Sequence, residues 1–333
     1  MNMREAVIDP GLRAVVLSRT PLRYAEGAHL PSDRPAHVRA GSGLTWIGER
    51  LALIQDDANF VALIDPVSLL VNAVALPAGE GGLRQFDDVR GNKKFKLDLE
   101  ACTTLPDPAG PVLLAFGSGS KRRRRCVAAI DRWNEPIPQV SVVDATALYE
   151  ELEAEASFAG SDMNIEGALF LVDRVRLFGR GNGASRGDGR PLNATCDLHL
   201  AALRAYLADP ERQAVPRPQS VVQYSLGTLE GITLGFTDAT VLDQHVLYAA
   251  AAEASADAAS DGDVFGSVLG VIPPAGTLRQ ALLVDAAGTA VREKVEGVAR
   301  SRSHADRVYV VIDGDDPARA SELCEVQLVG AWL

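Results

Sequence analysis

Ser42-Gly43-Leu44-Thr45-Trp46-Ile47-Gly48-Glu49-Arg50-Leu51-Ala52-Leu53-Ile54-Gln55-Asp56-Asp57-Ala58-Asn59-Phe60-Val61-Ala62-Leu63-Ile64 alternates short β-prone runs with turn residues. The runs are 44–48, 51–55 and 60–64, and a fourth, 71–76, follows Asp65-Pro66. Four strands joined by three tight connections predict an antiparallel meander, the unit from which propeller blades are built.

The opening of this stretch recurs. Leu99-Glu100-Ala101, Ile165-Glu166-Gly167, Glu230-Gly231-Ile232 and Glu296-Gly297-Val298 each open a further strand-like run, at spacings of roughly 58 to 66 residues. The later sets read as 97–104, 112–116, 126–130 and 140–143; then 165–171, 175–178, 194–200 and 220–224; then 232–237, 246–251, 266–272 and 278–284. A last set has three runs, 295–299, 308–312 and 323–328, and residues 14–18 form a strand with no set of its own. Placing that strand outermost in the last set closes a ring and removes two open sheet edges. The expected fold is all-β: a single β-propeller over residues 1–333, five-bladed with six blades as the alternative. Its four-stranded blades fall at 42–80, 97–145, 164–226, 229–286 and 295–333 plus 12–20. Short helices are expected at 147–156 and 201–208, and a solvated loop at 254–263.

Composition narrows the function classes. The chain has 333 residues, 47% hydrophobic, and a net charge of −11, which disfavours general attraction to nucleic acid or anionic lipid. Cys102, Cys126, Cys196 and Cys324 form no Cys-x-x-Cys pair and read as small core residues. The five histidines show no His-x-x-x-His spacing, and there is no Gly-x-Ser-x-Gly elbow. No apolar run is long enough for a signal peptide or a membrane span, so a cytoplasmic location is expected.

Ser42-Gly43-Leu44-Thr45-Trp46, followed by Leu53-Ile54-Gln55-Asp56-Asp57, resembles the first-blade pattern of the SdiA-regulated and esterase-like phytase propellers. Leu229-Glu230-Gly231-Ile232-Thr233 resembles their recurring strand start, with Ala101 departing from it where Gly is usual. The resemblance implies a propeller with ester or phosphoester hydrolysis as its activity. More distantly it is similar to gluconolactonase propellers, which implies a channel calcium ion held by Glu, Asn and Asp.

In a propeller the innermost strands line the channel, so Ser42, Glu100, Glu166, Glu230 and Glu296 are expected to converge. Clustered carboxylates repel unless cations or protons neutralise them. One reading gives Ca²⁺ held by Asn164, Glu166, Glu230 and Glu296, with Glu100 activating water as the catalytic residue. Lys94, Lys96, Arg180 and Lys294 would then hold a small anionic substrate. The alternatives are that the same acids pair with those Lys and Arg residues structurally, or form a metal-free ligand site, and that the top face binds a protein partner. Lys121-Arg122-Arg123-Arg124-Arg125, after Gly117-Ser118-Gly119-Ser120, is either a solvated turn or an anion contact. Arg186-Gly187-Asp188 has turn chemistry only.

Overall fold

The computed structural model describes all residues except 1–2, 134, 136, 183–184, 186–188 and 256–261. The Arg186-Gly187-Asp188 triplet and most of the 254–263 loop therefore lie outside the described residues. Two strands precede the first predicted meander, β1 (Met3–Ile8) and β2 (Arg13–Pro21). The first meander is β3 (Gly41–Ile47), β4 (Arg50–Gln55), β5 (Phe60–Ile64) and β6 (Val71–Ala75). The second is β7 (Leu99–Leu105), β8 (Val112–Gly117), β9 (Cys126–Asp131) and β10 (Gln139–Asp144). Helices α1 (Thr146–Ala154) and α2 (Ala156–Ala159) lead to the third, β11 (Ile165–Leu171), β12 (Arg174–Gly179), β13 (Asn193–His199) and β14 (Gln219–Ser225), with α3 (Leu200–Ala208) inserted before β14.

A two-residue strand, β15 (Thr228–Leu229), hairpins into the fourth meander, β16 (Ile232–Leu242), β17 (His245–Ala254), β18 (Asp263–Ile272) and β19 (Leu278–Val284). The last set is β20 (Lys294–Arg300), β21 (Arg307–Asp313) and β22 (Glu322–Val329), beside which β2 pairs antiparallel from Arg13–Val329 to Pro21–Glu322. Neighbouring strands within every set are antiparallel.

The apolar residues sort into clusters, each sandwiched between two successive sets. One joins the first and second sets through Ile54, Val61 and Leu113; α1 and α3 pad the next through Leu148, Tyr149, Leu203 and Tyr206. Phe178, Tyr224, Phe236 and Tyr248 stack edge to face between the third and fourth. Val295, Val310 and Leu269 join the fourth and fifth, and Leu44, Leu53 and Val311 join the fifth back to the first. The architecture is mostly β and propeller-like. All four cysteines are buried and free, and burial pushes the Cys126 and Cys324 thiols up to about 12.

Nothing in the spelling of Met3–Ile8 marks β1 as a strand. Its first half pairs parallel with β14 and its second half with β19, and β2 pairs briefly with β19 on one edge while β22 lies along the other. The N-terminal segment is thus stitched along the outer edges of three sets. Its side chains are largely exposed, so it lacks the alternation that marks a half-buried strand.

Candidate functional site

Every inner strand is broken by a bulge at one position. The register skips at Ser42-Gly43 in β3, Glu100 in β7, Glu166 in β11, Thr237 in β16 and Glu296 in β20. A bulge adds one residue and re-aims its side chain, a device common beside functional sites. Four of these residues, Ser42, Glu100, Glu166 and Glu296, line one central cavity. The small residue after the bulge is required by close approach: a Cβ at Gly297 would sit 2.8 Å from Leu44 Cβ, and one at Gly43 would sit 3.2 Å from the Cys102 amide nitrogen.

The fourth set departs from the pattern, and Glu230 does not converge with the other acids. Glu230 (φ 50°) and Gly231 (φ 85°) are the two residues of the tight turn between β15 and β16, where two left-handed positions suit a primed hairpin turn. The Glu230 carboxylate is half exposed and pairs with Arg292. The equivalent bulge falls seven residues later at Phe236-Thr237-Asp238, inside an unusually long strand. Asp238 takes the place filled elsewhere by Gly or Ala. Its fully buried Oδ2 accepts from Val298 N–H at 2.8 Å and Leu44 N–H at 3.3 Å, which ties β16 to β20 and β3. Burial pushes this carboxyl well above the usual range despite those bonds.

Around the cavity the acids meet the chain's own cations. Lys96 Nζ lies 2.6 Å from Asp56 Oδ2 and 2.7 Å from both Asp57 Oδ1 and Asp98 Oδ1. Arg124, from the basic run, reaches Asp98 Oδ2 at 2.9 Å. Arg180 bridges Glu166 (3.2 Å) and Glu253 (2.6 Å), and Lys294 bridges Glu296 (2.8 Å) and Glu253 (3.5 Å). Asn164 Nδ2 donates to Glu166 Oε1 at 2.6 Å. Gly235 makes room for the Arg180 side chain, whose Cγ lies 2.7 Å from where a Cβ would stand.

Glu100 is different. Its carboxyl accepts from Ser42 Oγ at 2.5 Å, and burial followed by the neighbouring Asp56, Asp98 and Glu166 raises its proton affinity well above that of an ordinary glutamate. Burial does the same to Glu296, whose Oε2 has no hydrogen-bond partner among the described residues, and raises Asp313. Burial and Asp56 push Asp57 up to about 7, whereas Lys294 and Arg180 overcome burial to hold Glu253 down to about 2.

Of the cations expected at the site, Lys96, Arg180 and Lys294 line the cavity. Lys94 does not: its ammonium lies over the Phe95 ring at 4.9 Å, and its neighbour Lys93 lines the cavity instead. Asp56, Asp98, Arg124, Glu253 and Asp313 were not anticipated. Asp56 and Asp313 end or follow the second strand of their sets, and their backbones face Ala40 and Lys294, two residues before the bulges. That offset is a cross-strand relation, visible only once the register of the paired strands is known.

A family model matches residues 37–328, a span that holds every cavity residue named above. The chain belongs to the DUF6929 family of unknown function. No curated protein matches this DUF6929 member. Among solved structures it is similar to a PQQ-bound aldose sugar dehydrogenase from Streptomyces coelicolor, at 12% identity over 97% of this chain and 100% of that one, with a TM-score of 0.42. It is also similar to the calcium-binding protein regucalcin from Agrobacterium tumefaciens (10%, 99% and 98%, 0.38) and to a putative exported protein from Bacteroides fragilis (6%, 98% and 99%, 0.41). TM-scores this low transfer nothing about chemistry. Among the described residues of the DUF6929 chain no helix is long and apolar enough to cross a membrane.

The acids Asp56, Asp98 and Glu100 present oxygens within 4.8 Å of one another, a spacing compatible with a metal ion. In this DUF6929 structure, however, the Lys96 ammonium already sits against two of the three. The set Asn164, Glu166, Glu230 and Glu296 does not fit calcium, because Glu230 is elsewhere and the remaining groups are bonded to one another, to Arg180 or to Lys294.

Proposed function

We propose that the chain is a closed five-bladed propeller, one unit over residues 1–333, that binds a small positively charged ligand in its central cavity. The observation that carries this reading is charge: eight carboxyl side chains and five Lys or Arg side chains line the cavity. A small anion finds little to hold it, since Lys96, Arg180 and Lys294 each already bond two or more carboxylates. Lys96 is itself an example of the chemistry, an ammonium among three carboxylates. A ligand bearing a primary ammonium group reproduces it without displacing a lysine, whereas calcium at Asp56, Asp98 and Glu100 must first move Lys96.

Thermal melting with methylammonium, ethanolamine, Ca²⁺ and chelator, alongside native mass spectrometry for metal content, tests the reading. A melting temperature raised by amines and insensitive to chelator is expected. If neither amine nor metal shifts the transition and no metal is bound, the cation reading is wrong.

The Ser42–Glu100 pair supports a second reading, hydrolysis of a small ester or lactone. Glu100 would accept the Ser42 or water proton as general base. Turnover in an ester and lactone screen that disappears in both Ser42→Ala and Glu100→Gln supports it; turnover that survives both changes excludes this pair.

A further inference from the structure

The basic run has a use that the cavity does not explain. Residues Lys121-Arg122-Arg123-Arg124-Arg125 divide by role. Arg124 is buried, and besides Asp98 it donates to Ser120 Oγ at 3.0 Å. Arg125 pairs with Glu153 at 2.8 Å. Lys121, Arg122 and Arg123 are exposed, as is Lys94 on the adjoining loop, and among the described residues none of these four makes an ion pair.

Their presentation is rigid. The turn is closed by Arg124 N–H to Lys121 C=O at 2.8 Å, and the anchored Arg124 fixes its base against the cavity wall. Arg123 and Lys94 both lie over the Phe95 ring, at 5.1 and 4.9 Å, which holds the two loops together. Lys94 and Arg123, held over one ring, repel each other, while Arg122 has the Asp144 carboxylate within electrostatic reach. The patch adjoins the cavity mouth, because Lys93, Lys96 and Arg124 of the same two loops line that cavity.

We infer that this rim patch docks a short acidic segment of a partner protein beside the cavity mouth. Three features select this class of anion. The amides of Gly119, Ser120 and Arg124 donate within the loop and that of Ser118 donates to Asp98 C=O, so these four are not free to cradle a single phosphate. Lys94 and Arg123 both lie over the Phe95 ring, where they compete with a nucleobase for stacking. The net charge of −11 opposes a long polyanion, while a segment with a few carboxylates meets only the patch.

Fluorescence anisotropy with a labelled hexaglutamate peptide tests the inference, with an unstructured single-stranded RNA hexamer and inorganic phosphate as competitors. The expected result is binding that weakens as salt rises and falls by about tenfold or more in Arg122→Glu/Arg123→Glu, a loss typical of reversing charges at an electrostatic interface. Both side chains are exposed, and an unchanged melting temperature of the double variant shows that it folds. Absent binding at low salt, or equal binding by wild type and variant, overturns the inference. Displacement by the RNA at lower concentration than by unlabelled peptide overturns it in favour of nucleic acid, and displacement by millimolar phosphate overturns it in favour of a small-anion site.

Discussion

Lys96 is the most exacting side chain in the molecule, because it is only 5% exposed and its ammonium is shared by three aspartates. Lys96→Met keeps the length and removes the charge, leaving Asp98 with Arg124 alone, Asp57 with Arg39 and Asp56 without its ammonium partner. It is expected to cost about 3–5 kcal/mol, the range for breaking a buried ion pair, read from urea unfolding at pH 7. Glu100 predicts a pH effect of defined sign. Its folded-state pKa is raised above the ordinary 4.5, so between that value and the folded one the native state binds more protons than the unfolded chain. Its contribution to stability therefore declines as pH rises through that window. Glu100→Gln, which keeps an acceptor for Ser42, is expected to melt above wild type at pH 8 by about 2–4 °C per kcal/mol relieved, with the gap closing near pH 4.5. Glu253 acts in the opposite direction: its pKa lies near 2, so its stabilisation is present above pH 4.5 and is lost as pH falls toward 2.

The bulge in each inner strand is the element that places a side chain in the cavity, and the fourth strand shows what happens when its position is misjudged. A Glu-Gly pair reads the same whether it opens a channel strand or makes a hairpin turn, since both contexts favour glycine, one for close packing and the other for positive φ. Only the cross-strand register separates Glu230-Gly231 from Ile165-Glu166-Gly167, and register is a long-range property. The strands themselves were legible, because runs such as 51–55 and 60–64 are β-prone and bounded by turn residues. Ser42, Glu100, Glu166 and Glu296 were legible for the same reason. Asp56, Glu253 and Asp313 were not legible as cavity residues, because they sit at the far ends of second strands, where only the cross-strand register shows what they face. Glu230→Gln is accordingly expected to change stability by less than about 0.5 kcal/mol, as for other exposed pairs, and to leave amine binding untouched. Gly235→Val, by contrast, is expected to displace Arg180 and to weaken amine binding in the same melting assay, since even a Cβ there meets Arg180 Cγ at 2.7 Å.

At the scale of the molecule, the apolar clusters between successive sets mean that each set is held by its two neighbours. The last contact depends on β2, which covers the edge of β22 along eight paired positions. Deleting residues 1–21 exposes that edge and those of β14 and β19, and is expected to yield aggregated protein by size-exclusion chromatography; deleting 1–9 removes the exposed β1 alone and is expected to leave a monomer with a lower melting temperature. The β2–β22 pairing also bears on how the protein is made. Pro21 leaves the ribosome 301 residues before its partner Glu322. At about 5–20 residues per second, β2 waits roughly 15–60 s for a mate. Throughout that interval the nascent chain carries an unpaired strand, so the β2–β22 pairing can form only after β22 has emerged, and the growing polypeptide depends until then on being kept from its neighbours.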